Sequence, residues 1–596
     1  MTMAMVNRLM LWLAVISSAV LLIGLGLASW LVQHREQVPD PLLPEGSALL
    51  GSYNSLAHQL WLVVLLLLIG LLLLAINRAA APAPAPGEIQ NKSLLRKAWE
   101  FMRRHPLSCG LLTVYALLMV SESSWFYKEI VTWFDDIHNG LLVDNFSPQA
   151  SFIGEAWGRN DFRFFPLSHQ DLHLLSWFTP YPKVWALVSA AELVATIGLS
   201  VAVVQQSLRP SNPPAAKAPA LLLIGCLLYL FTSSAAYNYF QFIYSERLLS
   251  LLLALFAFHW LQYRQTGDHR SGLLALIWAL VGSFLKDTAI VLFVVPVLAS
   301  LLTQPASQWT QQRRLELNLL SLVPFVLASA TWLSLLPSLY LGDQRYDSSL
   351  RFSAFELDIR TVVVLLFSVV RLVQWSRERQ KFTFTVIDGL NLGAFAYALV
   401  LWALVGFKST SYMALPVNLV AVIDMLMVWA VSISPWLLKR SGQRTTGAIG
   451  VGLSLSIVAV EHRFAHHFQE RFTSIRNTQR SWRGTFDQAQ TLALQSRRRG
   501  EPVNLIFSKS WFKHSDYLRT LPYDRLIYLD PDTGDSHVID GIGQGERYRV
   551  QPGDLLLDLD SGNKLKKYGI DLRGYRRIYD FDPTVSNGHI YRREAE

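Results

Sequence analysis

Residues 79–106 read AAAPAPAPGEIQNKSLLRKAWEFMRRHP, and the orientation of every later segment follows from them. Alternating Ala-Pro resists helix and packs against nothing, so it forms a semi-rigid spacer. The cations that follow, Lys92, Arg96, Lys97, Arg103 and Arg104, make the stretch strongly positive. Such clusters resist translocation, which places this linker in the cytoplasm. Working outward from it, the flanking sequence is apolar on both sides.

That flanking pattern repeats along the chain. Of the residues, 52% are hydrophobic and only 16% charged, where a soluble chain carries about a quarter charged. Repeated apolar runs of about 18 residues or more define a polytopic membrane protein. Cys109 and Cys226 both lie in apolar runs, as packing residues do, rather than as a disulfide or metal pair. The net charge of +9 falls largely in short loops between spans. There it signals topology, not nucleic acid.

Two spans, 9–32 and 57–76, precede the linker and form a region 1–80, with the linker itself at 81–106. A signal peptide is the alternative reading of the first run, but its length and the lack of a clear small-x-small cleavage site after it favour an anchor. A core region, 107–461, then alternates across the membrane. Its spans fall near 107–121, 184–204, 218–234, 248–263, 273–285, 317–341, 384–407 and 447–461, with further spans between, for about thirteen in all. The inner loops so defined are repeatedly rich in Arg and Lys. Residues 462–596 change character: a long polar helix with an Arg run and Gly500 near its end, then the strand-like VNLIFS, RLIYLD, HVID and GDLLLDLD. The expectation is a polytopic α-helical membrane protein with a small C-terminal α/β domain on the periplasmic face.

Chemistry concentrates in the first large outer loop, 122–183, which carries WFDDIHNGLLVDN and GRNDFRFFPLSHQD. A carboxylate can take a proton from an acceptor hydroxyl. Cations meet the charge of a departing phosphate. The predicted outer rim holds Asp135 and Asp136, the cations Arg159, Arg163, Arg247, Lys286 and Lys408, and the aromatics Trp133, Phe164, Phe165, Tyr244 and Tyr412. His138, Asp161 and Glu246 complete the substrate-facing candidates, with His169 close by in sequence. Each has a plainer reading alone: paired acids as a solvated turn, Arg247 as an interfacial anchor, Lys286 with Asp287 as a local ion pair, aromatics as an interface belt. Co-location on one side is the argument. Glu192, Arg371 and Asp424 fall inside apolar spans, where charge is costly and either functional or paired.

On these residues the chain resembles the GT-C superfamily of membrane glycosyltransferases. WFDDIHN is similar to the acid-bearing first outer loop of that family, and KSTSYMALPVNL, with Tyr412 and Pro416, is similar to its Tyr-x-x-x-Pro segment. YSERLL and FLKD are similar to its phosphate-contacting positions. The resemblance covers roughly 107–596, the first two spans being an addition to it. It implies sugar transfer from a polyprenyl-phosphate donor to a glycan, lipid or protein acceptor on the periplasmic face of a bacterial inner membrane. It further implies Asp135 or Asp136 as general base, with Asp161 in reserve, and Arg163, Arg247, Lys286 and Lys408 for the donor phosphate. His138, Asp161, Tyr244, Glu246 and Tyr412 would meet substrate. Either Asp135 or Asp136 is alternatively a ligand for Mg or Mn; otherwise no cofactor is needed. Three rivals stand beside this reading: a lipid-linked oligosaccharide polymerase or ligase, a lipid or sugar transporter, and an anchor for a working C-terminal domain.

Overall fold

The computed structural model describes residues 3–34, 48–79, 94–122, 162–341 and 352–595, apart from 169, 177, 180–181, 210–212, 242–243, 304–313, 354, 378–382, 464–466, 509–515, 532, 559–564, 566–568 and 582–587. The chain divides into two units. The first comprises Met1–Leu117, Pro148–Asp171 and Val188–Gln469; the second comprises Leu118–Ser147, Leu172–Leu187 and Glu470–Glu596.

Among the described residues, eight helices are long and apolar enough to cross a membrane. They are Ala4–Gln33, Ser55–Arg78, Lys183–Leu208, Arg314–Leu339, Ile359–Arg377, Val386–Val405, Tyr412–Leu438 and Gln443–Arg463. About 20 apolar residues rising 1.5 Å each match a hydrocarbon core about 30 Å thick. The chain is therefore a polytopic helical membrane protein.

The expectation of about thirteen spans is met only in part. Three of the expected spans fall on helices Pro106–Glu122, His269–Gly282 and Ile290–Leu302, of 17, 14 and 13 residues. The shortest rises only about 20 Å. Apolar composition continues through Leu285, but the helix stops at Gly282 and the chain turns before Ile290. Hydropathy does not register that turn. The expected span 218–234 is also not straight: helices Leu221–Leu230 and Ser233–Phe240 meet at 79°. Thr232 starts the second of these by accepting a hydrogen bond from the Ala235 amide at 2.9 Å, a cap that competes with continuing the first. Counted as one broken span, the pair raises the total to nine.

Small residues and caps fix how helices in the first unit meet. Glu246–Thr266 and His269–Gly282 form an antiparallel hairpin, turned at Gly267 with a φ of +71°. Asp268 caps the second helix, accepting from the Arg270 and Ser271 amides at 3.1 Å. Gly389 and Gly393 bring Val386–Val405 against Pro296: a Cβ on Gly393 would sit 2.8 Å from the proline ring, the small-x-x-x-small logic of membrane helices. Thr385 and Asp388 form a capping box at the start of that helix. Asp388 also takes a bidentate pair from Arg371 at 2.6 and 2.8 Å. Arg371, flagged as a charge within a span, is thus neutralised by Asp388. A two-residue parallel pair, β1 (Phe355–Glu356) with β2 (Phe407–Lys408), ties down the loop that leads to Tyr412.

In the second unit six strands form one mixed sheet: β3 (Asn504–Ser508), β4 (Arg525–Leu529), β5 (Ser536–Gly541), β6 (Leu555–Asp558), β7 (Tyr575–Asp580) and β8 (His589–Arg593). Their order is β5-β4-β3-β6-β8-β7, with β3 parallel to both β4 and β6. Strand β3 is buried throughout, as a central parallel strand covered on both faces must be. Leu505 and Phe507 pack with Phe486, Ala489 and Ala493 of helix Phe468–Arg498, while Ile506 packs with Ile527 and Leu556 on the other face. The four strand-like runs expected from sequence become β3 to β6. Strands β7 and β8 (YRRIYD, HIYRR) carry too much charge to show apolar alternation. Beside the sheet, burial pushes the Asp554 carboxyl up, opposed by hydrogen bonds from the Gln551 amide, Asn504 and Tyr548.

Gly541 ends β5 with a φ of +93°, and a Cβ there would lie 2.2 Å from the Asp524 carbonyl oxygen. Gly541→Ala is expected to cost on the order of 1–3 kcal/mol. Hydrogen exchange should show faster exchange in β4 and β5 than in wild type; unchanged protection would contradict the packing described.

Candidate functional site

Four segments of the first unit, far apart in sequence, converge at one place. Helix Glu246–Thr266 contributes Glu246 in its first turn, where the helix dipole favours a carboxylate. The turn after Gly282 contributes Lys286, whose Nζ lies 2.8 Å from Glu246 Oε1. Both are buried, Glu246 at 1% exposure and Lys286 at 9%. Glu246 Oε2 has no hydrogen-bond partner among the described residues. A buried ion pair with an acceptor position left over has paid desolvation without full return.

The third segment brings Tyr412, in a short 3-10 turn before helix Leu415–Val428. The Lys286 ammonium sits 5.3 Å from the centre of its ring, an attraction of about 0.5–2 kcal/mol depending on desolvation. Tyr244 stacks on Tyr412 with centroids 4.0 Å apart and planes at 17°. Tyr237 meets both rings edge-on, at 6.2 and 6.4 Å. All three tyrosines are half-buried, so the aromatic shelf keeps an accessible side. Its backbone is stitched to the bent helix pair: Asn238 Nδ2 donates to the Tyr412 carbonyl at 2.9 Å, and Ser233 Oγ to that of Thr410 at 2.9 Å. The break at Phe231–Thr232 therefore serves to present Ser233 and Asn238 to this loop.

The fourth segment brings Arg163 and Phe165. Arg163 pairs with Asp287, and its guanidinium lies 5.6 Å from the Phe165 ring centre. The Lys286 ammonium is 6.0 Å from that same ring. Ser334 Oγ holds the Arg163 carbonyl at 2.9 Å, and the Leu167 amide donates to the Phe284 carbonyl at 3.0 Å. Lys286 and Asp287, adjacent in sequence, do not form the local pair their adjacency suggests. In the turn they diverge, one to Glu246 and the other to Arg163. Buried Tyr397 is close enough to Glu246, Asp287 and Tyr412 to interact with each electrostatically.

Of the residues expected at the site, Arg163, Tyr244, Glu246, Lys286 and Tyr412 thus meet. Arg247 does not share their cluster: its guanidinium binds Asp171 and Glu192 and is 2% exposed. Lys408 pairs with Glu356 at 3.2 Å, both well exposed. Asp135, Asp136, His138 and Asp161 lie outside the described residues, as do Trp133, Arg159 and His169. Among the described residues, no three His, Cys, Asp or Glu side chains group as a metal site. Of the charges within spans, Glu192 is paired with Arg247. Asp424, fully buried, accepts from Asn391 Nδ2 at 2.8 Å.

Sequence reading missed Tyr237, Asn238 and Tyr397 at the site, and Asp171 as the partner of Arg247 away from it. Asn238 and Tyr237 sit in SAAYNYF, whose polar residues within an apolar run were a usable signal. Asp171 had none, because its role depends on a partner 76 residues away. Comparison with protein-family models, with curated proteins and with solved structures yields no match.

Proposed function

We propose that the chain is a membrane glycosyltransferase that moves a sugar from a polyprenyl-phosphate donor to a glycan, lipid or protein acceptor. The observation that carries this reading is the convergence of Arg163, Glu246 and Lys286 with the Tyr244–Tyr412 shelf within a membrane bundle. Lys286 and Arg163 meet the donor phosphate, each exchanging part of its carboxylate contact for phosphate oxygens. The tyrosine shelf stacks against a sugar face, and Glu246 accepts from a sugar hydroxyl. Asp135 or Asp136 removes the proton of the acceptor hydroxyl as its oxygen bonds to the anomeric carbon. The bond from that carbon to the phosphate oxygen breaks, polyprenyl phosphate leaves, and the anomeric configuration inverts. On this reading the site and the C-terminal domain face the periplasm of a bacterial inner membrane.

The bend of 79° between Leu221–Leu230 and Ser233–Phe240 favours a second reading, a lipid or sugar transporter, because transporters build sites on broken helices. Purified protein in lipid nanodiscs, given a panel of polyprenyl-phosphate sugars with and without EDTA, separates the two. Transfer predicts free polyprenyl phosphate from one donor. Movement of intact donor across proteoliposomes without phosphate release would favour the transporter instead.

A further inference from the structure

Helix Leu94–Arg104, LLRKAWEFMRR, divides its residues without exception. Placed at 100° per residue, Leu94, Leu95, Ala98, Trp99, Phe101 and Met102 fall in one sector, and Arg96, Lys97, Glu100, Arg103 and Arg104 in the other. Among the described side chains of the apolar sector, Trp99, Phe101 and Met102 are 57%, 49% and 44% exposed. The polar sector holds four cations and one acid. Arg96 pairs with Glu100 at 3.4 Å, and Arg103 lies 5.8 Å from the centre of the Trp99 ring. Only His105 separates this helix from the apolar helix Pro106–Glu122, so its sequence neighbour on one side is itself apolar.

We propose that Leu94–Arg104 lies in the plane of the membrane interface and binds the surface of anionic lipid. Aromatic and aliphatic side chains on one side enter the acyl boundary, and cations on the other reach the lipid phosphates. Charge selects the occupant. A face of four cations and one acid, tethered within one residue of an apolar helix, is complementary to a sheet of phosphates and repels a basic protein surface. The interaction is independent of the sugar-transfer reading.

The test uses the full chain in nanodiscs, in a Cys109→Ala/Cys226→Ala background, with a nitroxide at Phe101→Cys or at Arg96→Cys. In discs of phosphatidylcholine with phosphatidylglycerol, collision with a water-soluble nickel reagent should be at least about threefold lower at position 101 than at 96, with oxygen collisions higher at 101. Removing phosphatidylglycerol, or adding about 0.5 M NaCl, should shrink that difference. Equal nickel access at the two positions, or a difference indifferent to phosphatidylglycerol, would overturn the proposal, and would leave a protein partner as the occupant to pursue. A second readout avoids labels: Arg96→Gln/Lys97→Gln/Arg103→Gln/Arg104→Gln, which keeps helix propensity, should lose the phosphatidylglycerol enrichment that co-purifies with wild type. Equal enrichment in both proteins would count against the anionic preference.

Discussion

Lys286→Ala is expected to lower kcat for donor cleavage by about 10²–10³-fold, the usual loss when a preorganised charge that meets a departing oxyanion is removed. The ammonium is fixed by Glu246 at 2.8 Å, Tyr412 at 5.3 Å and Phe165 at 6.0 Å, so little of its effect can be replaced by solvent. The single change also strands Glu246 without its cation in a buried place, which costs stability by itself. The double variant Glu246→Gln/Lys286→Met removes both charges together, which lifts the stability cost, and Glu246→Gln alone measures the part of the kinetic loss that belongs to the sugar contact. The double variant should keep a wild-type melting profile and still show the kinetic loss. If turnover per folded molecule matches wild type in the double variant, Lys286 is a packing residue and the phosphate sits elsewhere.

Arg247→Ala should produce the largest loss of stability, about 3–5 kcal/mol, because it leaves the carboxylates of Asp171 and Glu192 uncompensated. The expected reading is a lowered thermal midpoint in detergent and faster proteolysis. Restoring neutrality with Arg247→Met/Asp171→Asn/Glu192→Gln should recover most of the loss, since an apolar or neutral replacement of a whole buried triad is often tolerated. A single variant as stable as wild type would mean that the triad is solvated and contributes little. The result also bears on function, because Arg247 follows Glu246 in the chain and fixes the first turn of its helix.

How much of this was readable beforehand depended on whether a feature is local. Apolar runs of sufficient length identified the membrane class, and VNLIFS, RLIYLD, HVID and GDLLLDLD marked four strands of the C-terminal sheet. Residue types alone picked out Arg163, Tyr244, Glu246, Lys286 and Tyr412, because aromatic and charged side chains at the ends of apolar runs are few. The pairings were not legible. Arg163 finds Asp287 and Arg247 finds Glu192 across 124 and 55 residues, and nothing in a linear pattern selects those carboxylates over nearer ones. Adjacency pointed the wrong way at Lys286–Asp287, since consecutive residues in a turn aim apart. The bend at Phe231–Thr232 was written in Thr-Ser-Ser within an apolar run, a cap signal that hydropathy averages away. Helices such as Ile290–Leu302 are shorter than the apolar runs that hold them, because a window sees composition and not where the backbone turns.

The most direct test of the proposed chemistry is release of free polyprenyl phosphate from a panel of polyprenyl-phosphate sugars, compared between wild type and Asp135→Asn/Asp136→Asn, with donor binding followed in the same samples. The account predicts one preferred donor, turnover in wild type, and donor binding without turnover in the variant. Undiminished release by the variant would contradict the assignment of the base; neither binding nor release across the panel would contradict glycosyl transfer itself.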